Sequence, residues 1–236
     1  MKRLLRHHAD LVLAGATALV FLLWPDLDLS IARRFYVPGS GFTAFQSWWV
    51  ELTYVLVARF WVLAIVLLAF LLFSLTPRTR RRWTGRRLAA GYLLAVLLLG
   101  PGLVVNTVLK NHWGRPRPVH LLQFGGDAEF TPAFEPSSRC PTNCSFVSGH
   151  AAAAFYLMAP FWVSRRRSYL WGGIAFGLFV GFVRMAMGAH FLSDILFAGF
   201  IVHFTCRGLA PVFFRRRCLG PMSAPATALP RSLPEP

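Results

Sequence analysis

Three polar clusters interrupt an otherwise apolar chain: Lys110-x6-Arg117-Pro118, Ser148-Gly149-His150 and Arg184-x5-His190-x3-Asp194. Together they supply cations, a hydroxyl, a glycine backbone, two imidazoles and a carboxylate, a set suited to holding and moving a phosphoryl group. A phosphate monoester carries close to two negative charges. Lys110, Arg117 and Arg184 would clamp its oxygens, the arginines through planar forks. Ser148 and the backbone N–H near Gly149 would add donors at a helix start, where anions are favoured. The missing side chain at Gly149 would let the phosphate approach the backbone. Asp194 follows His190 by four residues and shares its helical face. A carboxylate there can hold the far N–H of the imidazole and leave the near nitrogen as nucleophile. His150, protonated, would donate to the leaving oxygen. The predicted path is in-line attack, a phosphohistidine, then hydrolysis. The three cations neutralise the charge, so no metal and no cofactor is required.

Something must bring these clusters together. The chain has 236 residues, of which 56% are hydrophobic and only 14% charged, unlike a soluble domain. A bilayer core takes roughly 20 apolar residues as a helix. Leu88–Leu109 has no charge, and Leu52–Leu75 has only Arg59. Six spans are expected, near 9–25, 52–75, 88–109, 147–164, 168–187 and 191–213, giving an all-α, polytopic membrane bundle. The first could instead be a signal peptide, since Lys2, Arg3 and Arg6 precede it, but no small-residue cleavage site follows Trp24.

The net charge of +16 would suit a nucleic-acid partner, but its distribution argues against one. Basic residues gather in 1–8, 76–87, Arg165–Arg167 and Arg215–Arg217, on alternate connections. The opposite connections, 26–50 and 110–146, hold two and four. That asymmetry sets topology, with both termini cytoplasmic. All three clusters then meet at the outer face, although the cytoplasmic arginines alone fixed the orientation. Ionisable groups at such helix ends are expensive and usually functional.

Plainer readings apply elsewhere. Phe42, Phe45, Trp48 and Trp49 fit either a short surface helix or an ordinary aromatic belt. The 110–146 loop reads as a partly ordered lid. Gly173, Gly177 and Gly181 make a small-residue ridge for packing inside the bundle, or for homodimerisation. Arg59 snorkels or pairs with Glu51, Arg115 pairs with the loop or lipid head groups, and His203 is a packed or hydrogen-bonded core histidine. Cys140 and Cys144 are either a small-loop disulfide or two free thiols. Residues 219–236, rich in Pro, Ala and Ser, read as a flexible cytoplasmic tail.

The sequences KNHWGRPRP at 110–118, VSGH at 147–150 and VRMAMGAHFLSD at 183–194 resemble the three signatures of the type 2 phosphatidic acid phosphatase (PAP2) superfamily: K-x6-RP, PSGH and SR-x5-H-x3-D. The resemblance covers roughly residues 50–213 of a single domain, 1–218, and implies a six-helix core. It also implies His190 as nucleophile, Asp194 as its partner and His150 as acid. Phosphate contacts would come from Lys110, Arg117, Ser148, Gly149 and Arg184. Val147 and Val183 stand where the signatures have proline and serine; the second change removes one phosphate donor.

The implied function is a bacterial inner-membrane lipid phosphatase working on the periplasmic side. Its candidate substrates are a lipid A phosphate, undecaprenyl pyrophosphate and phosphatidylglycerol phosphate. The 110–146 loop points to a lipid A phosphatase-like branch. A phosphotransferase on the same scaffold is one alternative. A non-catalytic phospholipid-binding or transport protein is another, but it would have no need of His190 with Asp194. Apart from Lys2, Lys110 is the only lysine among 23 arginines, which favours a compact ammonium at the phosphate.

Overall fold

The computed structural model describes residues 8–46, 48–74 and 85–214, with no β-strand among them beyond two isolated bridges. Helix α1 (Ala9–Leu23) ends before Pro25 and turns by 86° into α2 (Leu27–Ala32), which tightens into a 3-10 turn at Arg33–Phe35. Helix α3 (Trp48–Ser74) follows. Helix α4 (Gly85–Leu97) opens into π-helical turns over Leu98–Leu109 and closes as α5 (Lys110–His112). Helix α6 (Gly149–Phe155) leads through a 3-10 turn to α7 (Pro160–Ser164). Helices α8 (Arg167–Ala186) and α9 (Leu192–Phe214) complete the chain.

Three of these runs are long and apolar enough to cross a membrane: Arg87–His112, Arg167–Ala186 and Leu192–Phe214. The bent pair α1–α2 makes up to four. The expected span at 147–164 is not one regular helix. The chain narrows to a 3-10 turn at Tyr156–Met158, just before Pro160. Proline has no N–H to give and crowds the turn behind it. Pro101 sits inside the π-helical stretch. There the Asn106 amide donates to the Pro101 carbonyl at 2.9 Å and the Thr107 hydroxyl to the Gly102 carbonyl at 3.2 Å. Side chains thus add donors to backbone carbonyls within the π-helical stretch.

The first connection differs from expectation. It carries α2 and, in the aromatic stretch, a 3-10 turn at Thr43–Gln46, while Phe42 is buried against Tyr36 and Phe124 with ring centroids 5.5 and 5.2 Å away. Trp48 stands exposed as a belt residue would; the side chains of Phe45 and Trp49 lie outside the described residues. The 110–146 loop is folded. Trp113 Nε1 donates to the Ala133 carbonyl at 2.9 Å, Ser137 N to Trp113 O at 2.9 Å, and a disulfide joins Cys140 to Cys144. At Gly114, with φ +72°, a Cβ would collide with the Ser137 carbonyl. Glu51's side chain, most of the 76–87 run, Arg215–Arg217, Cys218 and the tail lie outside the described residues.

The glycine ridge packs within the bundle. A Cβ at Gly173 would stand 2.3 Å from Met158 N, at Gly177 2.2 Å from the Phe155 ring, and at Gly181 2.3 Å from Ile195. Close packing of α8 on α6 and α9 therefore depends on these absent side chains. His203 Nε2 meets Asp10 at 2.9 Å, and Arg207 pairs with the same carboxylate, fastening α9 to α1. Gly177→Ala is expected to destabilise by about 1–3 kcal/mol, as overpacking does. Gly172→Ala, with no atom within 4 Å of its Cβ, should be neutral. Thermal unfolding in detergent compares the two.

Candidate active site

Backbone contacts bring the three clusters together. Cys144 N donates to Lys110 O at 3.1 Å, Ser145 N to Arg115 O at 2.8 Å, and Ser148 N to Asp194 O at 3.1 Å. The strand of loop at 144–148 is thus laid between the first cluster and the start of α9. Lys110, Arg117, Arg184, His150 and His190 come close enough to act on one another electrostatically.

His190 lies between α8 and α9 and is fully buried. Its Nδ1 is 2.8 Å from the Ser145 carbonyl. A carbonyl can only accept, so Nδ1 carries the proton and Nε2 keeps its lone pair. Nε2 is buried without a hydrogen-bond partner. Burial, opposed by the neighbouring Asp194, pushes the imidazole down to about 3, so the ring is neutral at ordinary pH.

The expected grip of Asp194 on that N–H is indirect. Asp194 Oδ2 stands 3.5 Å from Nδ1, too far for a normal hydrogen bond. It accepts instead from Ser145 Oγ at 2.5 Å and Phe191 N at 2.8 Å. The carboxylate therefore fixes the residue whose carbonyl orients the ring.

Lys110 Nζ donates to Asn143 Oδ1 at 2.7 Å, and Arg117 donates to Asn143 O at 2.9 Å. Asn143, held at φ 53° inside the Cys140–Cys144 loop, spaces these two cations. Asparagine tolerates that left-handed conformation better than most residues. Arg184 is buried near the end of α8, with Met187 Sδ 3.2 Å from its guanidinium.

Two motif residues also have structural reasons. Ser148 caps α6, its Oγ accepting from Ala151 N at 3.3 Å. A Cβ at Gly149 would stand 2.3 Å from Asn106 Oδ1, so packing against the π-helical stretch already demands glycine there.

Arg115 does pair with the loop, as one of its two expected readings had it, but it is wholly buried and its partners reach well beyond the loop. Its Nε donates to Thr131 O at 2.8 Å. One terminal nitrogen reaches Ser193 Oγ at 2.9 Å and Asp194 Oδ1 at 2.7 Å, and the other Asp28 Oδ2 at 2.9 Å. The guanidinium lies 4.1 Å from the Phe191 ring centroid. A charged side chain can be buried only with such partners. Asp28 had no signal of its own; a carboxylate beside an apolar segment, two residues after Asp26, was the available hint.

The PAP2 superfamily model matches residues 87–218. A Francisella tularensis subsp. novicida protein named lipid A 4'-phosphatase is 36% identical over 212 residues, covering 84% of this chain and 90% of that protein. Proteins of the same name from Rhizobium etli and Rhizobium leguminosarum are 43% and 42% identical over 113 and 106 residues. These matches cover 47% and 44% of this chain, and 43% and 46% of those proteins. No solved structure matches. A family model that takes in all three clusters, joined to a relative matched along most of its length, makes the chain a member of the PAP2 superfamily and with it a membrane phosphatase.

Proposed function

We propose that this chain removes a phosphate from lipid A at the periplasmic face of a bacterial inner membrane, through a phosphohistidine on His190. The observation that carries the mechanism is the lone pair of His190 Nε2, buried without a partner among cations. The name borne by the three relatives favours lipid A over undecaprenyl pyrophosphate and phosphatidylglycerol phosphate.

Nε2 attacks phosphorus in line as the bond to the lipid oxygen breaks. Lys110, Arg117 and Arg184 take the charge that spreads over the remaining oxygens. His150 gives its proton to the leaving oxygen, and the phosphate's own charge supports that proton before transfer. Water then attacks phosphorus, His150 accepts its proton, and the N–P bond breaks to release phosphate and neutral His190.

A lipid also needs a place for its chains. An apolar groove of about 360 Å³ runs between α3, α6 and α8, lined by Leu56, Leu63, Leu157 and Phe176 with Arg59 at its edge. Ala153 and Ala154 also line it. They follow His150 by three and four residues, hence lie on its face of α6 one turn further along. An acyl chain in this groove would place its head group beside the imidazole.

The outward orientation rests on the basic runs, and a disulfide at Cys140–Cys144 suits an oxidising compartment. With α3 and the α6–α7 segment counted beside the four apolar runs, the bundle has six crossings.

His190→Ala should abolish phosphate release from lipid A while the protein still inserts and binds substrate; a turnover assay with persistent activity would sink the mechanism. Leu56→Trp should raise KM for lipid A several-fold and leave hydrolysis of para-nitrophenyl phosphate unchanged, which steady-state kinetics on both substrates will decide. A cysteine replacing the exposed His120 should react with an impermeant thiol reagent from the periplasmic side. Labelling only after lysis would reverse the orientation.

A further inference from the structure

We infer that Asp28 is a positioning residue for the nucleophile, through which the helix α2 is coupled to the chemistry; this rests on His190 being the attacking group. Asp28 belongs to a different segment from all three motifs, yet it is almost fully buried at the start of α9. Its Oδ1 accepts from Ser193 N at 3.0 Å. Its Oδ2 accepts from Ser193 Oγ at 2.5 Å and from Arg115 at 2.9 Å.

Two consequences follow from these bonds. The first N–H groups of a helix have no partner within it. At α9, Asp28 takes the Ser193 N–H while Asp194 takes that of Phe191. Asp28 is therefore a helix cap delivered from another helix, and it holds the turn that begins two residues after His190. Asp28 and Asp194 also share one guanidinium, with Ser193 Oγ accepting from Arg115 and donating to Asp28. Displacing Asp28 would shift Arg115, then Asp194, then Ser145, whose carbonyl holds His190 Nδ1.

Helix α2 leaves α1 at 86°. If α1 crosses the bilayer, that turn would lay α2 along its surface. The carboxylate that α2 contributes thus makes the nucleophile's geometry depend on how this short helix is seated at the interface. Asp28 touches no reacting atom; it acts through Arg115, Ser193 and Asp194.

The test compares Asp28→Asn, Asp28→Glu, Ser193→Ala and His190→Ala in the hydrolysis of lipid A in detergent micelles. Each rate is normalised to monodisperse protein. Asp28→Asn should lower kcat by on the order of tenfold to a hundredfold, the scale of a misplaced reacting group, with KM within about twofold. Asp28→Glu should recover part of the loss. A purely structural role would lower the yield of folded protein and leave the normalised kcat intact, and that result would overturn the inference. If Asp28→Asn does not fold, Ser193→Ala decides. It keeps every charge and removes only the bridging hydroxyl, so a several-fold fall in kcat is expected and a wild-type value refutes coupling. An active His190→Ala would instead defeat the underlying reading of the site. An inactive His190→Ala beside a fully active Asp28→Asn would defeat this inference alone.

Discussion

One guanidinium, wholly removed from solvent, joins four separate pieces of the chain. Arg115 holds the Thr131 carbonyl in the outer loop, Ser193 and Asp194 at the start of α9, and Asp28 on α2. Each of these groups would be expensive to bury alone. Removing one partner of a buried ion pair costs about 3–5 kcal/mol, because the other charge is left behind. The arrangement therefore tolerates few intermediate geometries: either all four segments are in place, or a charge is stranded. Arginine suits the position because its fixed fork can address two carboxylates at once, whereas an ammonium could not reach both with the same geometry.

Two of the cations proposed to bind phosphate are held differently. Lys110 rests on the amide oxygen of Asn143, and Arg117 gives one N–H to the Asn143 carbonyl. These contacts orient a positive charge without neutralising it. Asn143 can do this because its backbone is confined, five residues being closed into a ring by Cys140 and Cys144. At the other end of the same lysine, the π-helical stretch after Leu97 sets where α5 begins. The ammonium position is thus determined from both sides, by a proline-bearing helix in the bundle and by a small covalent loop outside it.

What the sequence made legible was periodic or paired. Long uncharged runs announced apolar helices, and the four-residue step from His190 to Asp194 put both at one helix end. The glycine steps of α8 correctly implied close packing. What stayed hidden was non-local. Nothing in the composition near Asp28 tells that it meets Arg115, 87 residues away, and a single arginine before proline looks like surface charge. Ser148 and Gly149 were read for phosphate because their motif invites it. The cap at Ser148 is a local signal, a serine just before a helix, but the packing role of Gly149 depends on Asn106, which no local pattern reveals. Phe42 was misplaced for a similar reason: aromatic residues near a membrane suggest a belt, yet this ring fills the space above Gly188.

The two charge clusters divide the labour of the site. In the proposed mechanism Lys110, Arg117 and Arg184 meet the incoming phosphate. Asp28 and Asp194 both meet the Arg115 guanidinium, and Asp194 also holds Ser145, whose carbonyl orients His190. In a low-dielectric setting nearby charges act strongly on the imidazole. In the proposed mechanism the ring becomes positively charged when Nε2 bonds to phosphorus, and the neighbouring Asp194 stabilises that charge as it forms. Before attack the same ring is neutral, because burial outweighs Asp194. On that reading the Asp194 charge serves the intermediate more than the resting enzyme, which is where electrostatic preorganisation accelerates a reaction.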